Sequence, residues 1–174
     1  MKRSAESHRV GIALGSNLGS RIGNLREARK RLWALSDNAA SCLQAPVYQS
    51  APVGCPDDSP DFFNTVVEIS FAGSPEELLR LTQAIEFQLG RQQSEVRNAP
   101  RVIDVDILYF GDEIVRSDEL ELPHPRMTDR LFVLQPLAEI CPQLILPRDQ
   151  VTILEHLEHL DSGEEPLGLV QTNW

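Results

Sequence analysis

The stretch RNAPRVIDVDILYF, Arg97 to Phe110, decides how this chain is read. From Val102 to about Tyr109 it has the β-branched, apolar character of a buried strand, yet Asp104 and Asp106 stand in its middle. Side chains on a strand alternate between faces, so Ile103, Val105 and Ile107 share the core side and the two aspartates share the other. Their Cα atoms then lie roughly 7 Å apart, and both carboxylates can reach a common cation. Two hard oxygen donors with no His or Cys beside them favour Mg²⁺ over zinc or copper. The plain alternative is a solvated face, or charges that stop an edge strand from pairing with another chain. Arg97 and Arg101 just upstream, with Arg91 at the end of the preceding helix, favour a metal–nucleotide site, because guanidinium groups suit phosphate oxygens.

On the amino-terminal side, Ser74 predicts a helix N-cap, with Pro75 in the first position and Glu77 spaced for a capping box. Leu78, Leu81, Ile85 and Leu89 form the buried stripe of that helix, and Gly90 stops it. Thr65 to Phe71 alternates as a strand, with Val67, Ile69 and Phe71 on one face. Val10 to Leu14 reads as an opening strand broken by GSNLGS (15–20), and Leu25, Ala28, Leu32 and Leu35 mark a first helix. A second strand is expected around Cys42 to Ser50, made an edge or bent by Pro46. The loop APVGCPDDSPDF (51–62) is of the long kind that is functional or mobile. Beyond the aspartates, FGDEIV (110–115) reads as a tight hairpin, followed by helices near Leu131 to Ile140 and Ile153 to Leu160. The order β-α-β-β-α-β with a tail is the split βαβ signature. It predicts an α+β, ferredoxin-like fold with two helices on one face of an antiparallel sheet and a C-terminal helical extension. A flexible segment is expected over 1–9 and a single domain over 10–174.

The chain has 174 residues and a formal net charge of −10, with a pI near 4.8. That balance argues against nucleic-acid or anionic-membrane partners, which need a cationic surface, but a small anionic substrate needs only the local cluster Arg91, Arg97 and Arg101. No apolar run approaches the roughly 20 residues that span a bilayer. MKRSAESHRV (1–10) has no apolar stretch behind its basic residues, so it does not read as a signal peptide. Three cysteines without close pairing suggest a reduced, cytoplasmic protein, and a monomer is the expectation. GSNLGS lacks the Gly-Lys-Ser/Thr of a phosphate loop and reads as a strand-to-helix turn. His156 and His159, with Glu155 and Glu158, read as the solvated face of a helix docked through Leu154, Leu157 and Leu160.

Several segments together resemble the 6-hydroxymethyl-7,8-dihydropterin pyrophosphokinase family: ALGSNLG, YQSAPVG, PDFFN, PEELL…QAIE…GR, PRVIDVDILYFG and LPHPRMTDRLFVLQPLAEI. They span nearly the whole chain from Val10, in order. The resemblance implies transfer of pyrophosphate from ATP to the hydroxymethyl group of the pterin, with release of AMP, in folate biosynthesis. It implies that Asp104 and Asp106 hold two Mg²⁺ ions, and that Arg97 belongs to a mobile catalytic loop, with Arg101 also catalytic. Gln83, Glu86, Arg91, Arg101, Ile107, His124 and Arg130 match nucleotide-contacting positions. Phe62 and Phe132 match rings that sandwich the pterin, Asn64 an amide on its polar edge, and Ser50, Val53 and Asp104 further pterin contacts. Asn98 stands where many members have Trp, Gln93 replaces a basic residue, Pro125 an aromatic and Ala51 a proline. A ferredoxin-like ligand-binding module without Mg²⁺-dependent nucleotide affinity is the rival reading. A kinase or nucleotidyl transferase sharing the metal site would differ in its leaving group.

Overall fold

A computed structural model describes residues 6–92, 94, 96 and 98–174. Its main sheet is built on β1 (His8–Ser16), which lies between β5 (Asp104–Phe110) and β4 (Phe62–Phe71), antiparallel to both. β4 also pairs with β2 (Leu43–Gln44) and β3 (Val47–Ser50), and the order across the sheet is β5-β1-β4-β3-β8, with β8 (Gly168–Gln171) closing the far edge. The first four strands of that order are the fourth, first, third and second of a split βαβ unit, so the expected antiparallel topology is present.

One face is covered by α1 (Arg21–Leu35) and α2 (Pro75–Gln88). Val10, Ile12 and Leu14 of β1, Val67, Ile69 and Phe71 of β4, and Ile103, Val105 and Ile107 around β5 meet Leu25, Ala28, Leu32, Leu78 and Ile85 there. The period-two pattern of the strands meets the helical spacing of the two stripes, and both bury their apolar side in one layer. Ser74 caps α2, its Oγ accepting from the Glu77 N–H at 3.2 Å. Glu77 does not complete a capping box. The full box forms at α4 (Ile153–His159), where Thr152 and Glu155 satisfy each other's backbone N–H.

On the second face, α3 (Leu131–Ile140) and α4 pack on one end, burying Val66, Leu108, Tyr109, Met127, Val133, Leu134 and Leu137. A bulge makes this possible. Ile12 pairs with Ile107 but Gly11 pairs with Tyr109, so Leu108 is the extra residue, and Tyr109 joins Asp104, Asp106 and Leu108 on the α3 side. Gly11 is required beneath it, since a Cβ there would lie 2.1 Å from the Tyr109 ring. The Tyr109 hydroxyl bonds the buried Glu68 carboxylate, which Arg9 grips through Nε at 2.8 Å and Nη2 at 3.0 Å.

Several boundaries also move. β1 starts at His8, within the segment read as flexible, because Arg9 reaches Glu68. The second strand is two pieces parted at Ala45 and Pro46, as a residue without an N–H interrupts the ladder. FGDEIV turns at Gly111 but does not pair back on β5; Val115–Arg116 (β6) pairs with Glu121–Leu122 (β7). The C-terminal extension is not helical throughout, since it ends in β8, whose exposed Leu169 and Val170 carry no alternation that would mark a strand. Among the described residues no helix is long and apolar enough to cross a membrane.

Candidate active site

The part of the second face that α3 leaves uncovered is a pocket of about 910 Å³. Its floor is β1, where Ala13 and Gly15 pair with Asp106 and Asp104 on one side and with Val66 and Asn64 on the other. Two small residues of the strand therefore sit between the carboxylates on one side and Val66 and the Asn64 amide on the other, and the depression follows from their size. β5 supplies Asp104 and Asp106, α2 supplies Gln83 and Glu86, and the turn before α3 supplies His124 and Arg130. β3 and β4 supply Ser50, Phe62 and Asn64, and the first turn of α3 supplies Phe132.

Asp104 is held by two cations, Arg91 Nη1 at 2.7 Å and Arg101 Nη1 at 3.3 Å. Arg91 also bonds Glu86, whose Oε1 accepts the Val105 N–H at 2.7 Å, so the end of α2 is tied to β5 at the aspartates. Burial raises the Glu86 carboxyl above its ordinary range although Arg91 and the Val105 N–H oppose it. Burial works against the Arg91 charge, yet Asp104 and Glu86 raise its pKa. Among the described residues, Asp106 has no such cation at contact. Burial, then the Asp104 and Glu86 carboxylates, push it up to about 7. Removing a carboxylate from water next to like charge disfavours its ionised form. The excess of negative charge at this point is what an oxygen-preferring cation would relieve.

His124 accepts the Arg126 backbone N–H on Nδ1 at 3.1 Å. Its proton is therefore on Nε2 when the ring is neutral, and burial followed by Arg130 and Arg126 lowers its pKa. Arg130 lies against the Phe132 ring at 5.4 Å, and burial and Arg126 lower its pKa while Asp106 and Asp104 oppose that. In the same pocket, Asn64 Nδ2 donates to Ser50 Oγ at 2.7 Å, and Phe62 and Phe132 offer two aromatic rings.

The GSN turn does more than connect β1 to α1. Asn17 Oδ1 accepts the Arg101 N–H at 2.7 Å, the Asn17 N–H donates to the Arg101 carbonyl at 3.2 Å, and Asn17 Nδ2 donates to the Pro60 carbonyl at 3.2 Å. Ser16 and Asn24 both bond the Val102 carbonyl. The turn thus holds the backbone of Arg101 just ahead of Asp104, and the entry to β4 just ahead of Phe62. Across the pocket mouth, Asn98 Nδ2 donates to the Gly54 carbonyl at 2.7 Å, from a φ of 56° that Asn tolerates better than most residues.

Of the residues singled out in the sequence, the pocket brings together Ser50, Val53, Phe62, Asn64, Gln83, Glu86, Arg91, Arg101, Asp104, Asp106, His124, Arg130 and Phe132. Ile107 is not among them: its side chain is in the α1–α2 core, 4% exposed, as its place on the strand requires. Arg97 and Gln93 lie outside the described residues. Asn17, Arg126 and Glu164 were not singled out by the sequence. Asn17 sits in a motif that carries a turn signal only, and Glu164 in a polar segment with no periodicity. His156, set aside as a ligand, bonds Asp149 at 2.6 Å, and no group of three or more potential metal ligands occurs among the described residues. Asp104 and Asp106 could hold a cation between them, and two carboxylates are a set that suits Mg²⁺ completed by water and phosphate oxygens.

The model of the 7,8-dihydro-6-hydroxymethylpterin-pyrophosphokinase family matches residues 11–142. The chain is 48% identical over 135 residues to the 2-amino-4-hydroxy-6-hydroxymethyldihydropteridine pyrophosphokinase of Bacillus subtilis, covering 76% of this chain and 78% of that one. It is 41% identical over 140 residues to the protein of the same name from Haemophilus influenzae, covering 80% and 86%. Among solved structures, Plasmodium falciparum HPPK-DHPS with pteroate superposes with a TM-score of 0.67 at 13% identity, over 91% of this chain and 43% of that longer one. The last is a likeness of fold.

Proposed function

The chain belongs to the 7,8-dihydro-6-hydroxymethylpterin-pyrophosphokinase family, and from that premise we propose that it transfers pyrophosphate from ATP to 6-hydroxymethyl-7,8-dihydropterin, releasing AMP, in folate biosynthesis. The observation that carries the reading is the make-up of one pocket. Asp104 and Asp106, the cations Arg91, Arg101 and Arg130, two Phe rings and the Asn64 amide line it together.

In this reaction the hydroxymethyl oxygen bonds to the β-phosphorus and loses its proton. The bond from that phosphorus to the oxygen bridging the α-phosphate breaks, and its electron pair leaves on AMP. Such a transfer depends on positioning and on opposing phosphate charge more than on covalent help from the protein. Arg91 and Arg101 would exchange Asp104 for phosphate oxygens, which they can grip with more than one N–H. His124 would donate from Nε2, and Arg130 would oppose charge from the α3 side. Phe62 and Phe132 would stack on the flat pterin, and Asn64 would bond its polar edge. Asp104 and Asp106 would hold two Mg²⁺ ions, whose charge would offset that of the triphosphate. The reading includes Arg97 in the catalytic loop, and a cytoplasmic, monomeric protein in which residues 10–174 act as one domain.

The test is a product analysis. The purified chain, incubated with ATP, Mg²⁺ and the dihydropterin, should form AMP in step with pterin pyrophosphate, and a chelator should stop it. ADP or free pyrophosphate in place of AMP would overturn the reading.

A further inference from the structure

The register of β1 with β4 ends at Ser16 and Phe63, one residue short of Phe62, which pairs with Ser50 of β3. On its β1 side the start of β4 therefore has no ladder to hold it. Phe62 lies against Gly15, where a Cβ would meet its ring at 3.6 Å and the Asn64 Oδ1 at 3.1 Å. Arg21, in the first turn of α1, supplies the missing hold from the helix face. Its Nη1 donates to the Asp61 carbonyl at 2.8 Å, and its guanidinium lies 3.8 Å from the centre of the Phe63 ring. Phe63 packs on the α1–α2 core, and strand alternation sends Phe62 and Asn64 on either side of it to the pocket. From β3, Gln49 stands opposite Phe63 and donates from Nε2 to Asp61 Oδ2 at 2.6 Å. Asp61 and Phe63 are thus gripped behind the two residues that the pocket displays.

Building on the pyrophosphokinase reading, we propose that Arg21 is a positioning residue for the pterin. It does not line the pocket; by fixing Asp61 and Phe63 on the helix face of β4, it fixes where Phe62 and Asn64 stand on the other face. A hydrogen bond from a charged donor and a cation held over a ring both resist the fraying of a strand end. The effect is confined to one substrate. Asn17 bonds Arg101 as well as Pro60, whereas Arg21 touches the two residues that flank Phe62. Loss of Arg21 should therefore weaken the pterin and spare the nucleotide. A side chain that only stabilised the fold would weaken both or neither.

The experiment is a pair of calorimetric titrations of the full chain. In one, 6-hydroxymethylpterin, the oxidised form of the substrate, is added to protein saturated with Mg²⁺ and α,β-methylene-ATP. In the other, the nucleotide analogue is added in Mg²⁺ alone. Arg21→Met keeps an apolar stem against Phe63 but neither donor nor charge. It should bind the pterin about three- to tenfold more weakly, the worth of one aromatic stacking contact, and the analogue within about twofold of the parent. Gln49→Leu, which removes the other grip on Asp61, should shift the two affinities in the same way, and it serves as the test should Arg21→Met fail to fold. Parental pterin affinity in the folded variants, or equal losses for both ligands, would overturn the inference while leaving the function intact. A parent chain that binds no pterin would overturn both.

Discussion

Asp106 shows how far a single residue could be read. Strand alternation put it beside Asp104 on the face away from Ile103 and Val105, and that is its position in the fold. The alternation could not show that the face is walled by α2 and α3, so the lift of its pKa to about 7 came only from the assembled pocket. The sign of the consequence is definite. The folded value lies above the ordinary carboxylate value, so stability is full below about pH 4 and is lost as pH rises through about 7. In chelator, Asp106→Asn should therefore be more stable than the parent at pH 8, by on the order of 1–3 kcal/mol, with no advantage near pH 4. The same variant should lose turnover. Urea titrations at the two pH values and an AMP assay check this; equal stability at both, or retained activity, would contradict the assignment. Ile107 marks the opposite limit: the resemblance named the position, but its side chain is committed to the core.

At the scale of elements, the strand and helix patterns were legible because each buries one periodic apolar stripe. The connections were not, because their roles lie in side-chain bonds to residues distant in sequence. GSNLGS reads as a turn, yet Asn17 spans to Arg101 and Pro60 and aligns two sides of the pocket. Asn17→Ala should lower kcat/KM about tenfold to a hundredfold through misplacement of Arg101 and the Phe62 approach. Loss of its buried hydrogen bonds should cost about 1–3 kcal/mol. Kinetics at a temperature where circular dichroism shows a folded variant decide it; a kcat/KM within twofold of the parent would remove the positioning role. The bulge at Leu108 was equally hidden, since its only sequence trace is a run of apolar residues, Ile107 to Phe110, in place of alternation.

For the whole molecule, the second face of the sheet is the decisive feature. α3 and α4 close one end of it over Tyr109, Glu68 and Cys141, and the open end is the pocket. Within the closed end, Cys141 Sγ lies 3.3 Å from Glu68, and burial followed by that carboxylate pushes the thiol up to about 11. The thiolate is the reactive form, so Cys141 should be silent in the folded protein. A colourimetric thiol reagent at neutral pH should titrate Cys42 and Cys55, both partly exposed, and reach the third thiol only after denaturant. Full reaction of all three without denaturant would mean that this end of the sheet opens readily.

By itself the sequence determined the split βαβ order, the α1–α2 core and the pairing of the two aspartates on one face, because local periodicity encodes which side of each element is buried. Its family motifs supplied the identity of most pocket residues. The tertiary structure alone decided that α3 and α4 cover one end of the second face, that β8 adds an edge, that Asn17 bonds the backbone of Arg101, and that Glu164 lines the pocket. Those outcomes depend on contacts between segments far apart in the chain, which no local pattern records.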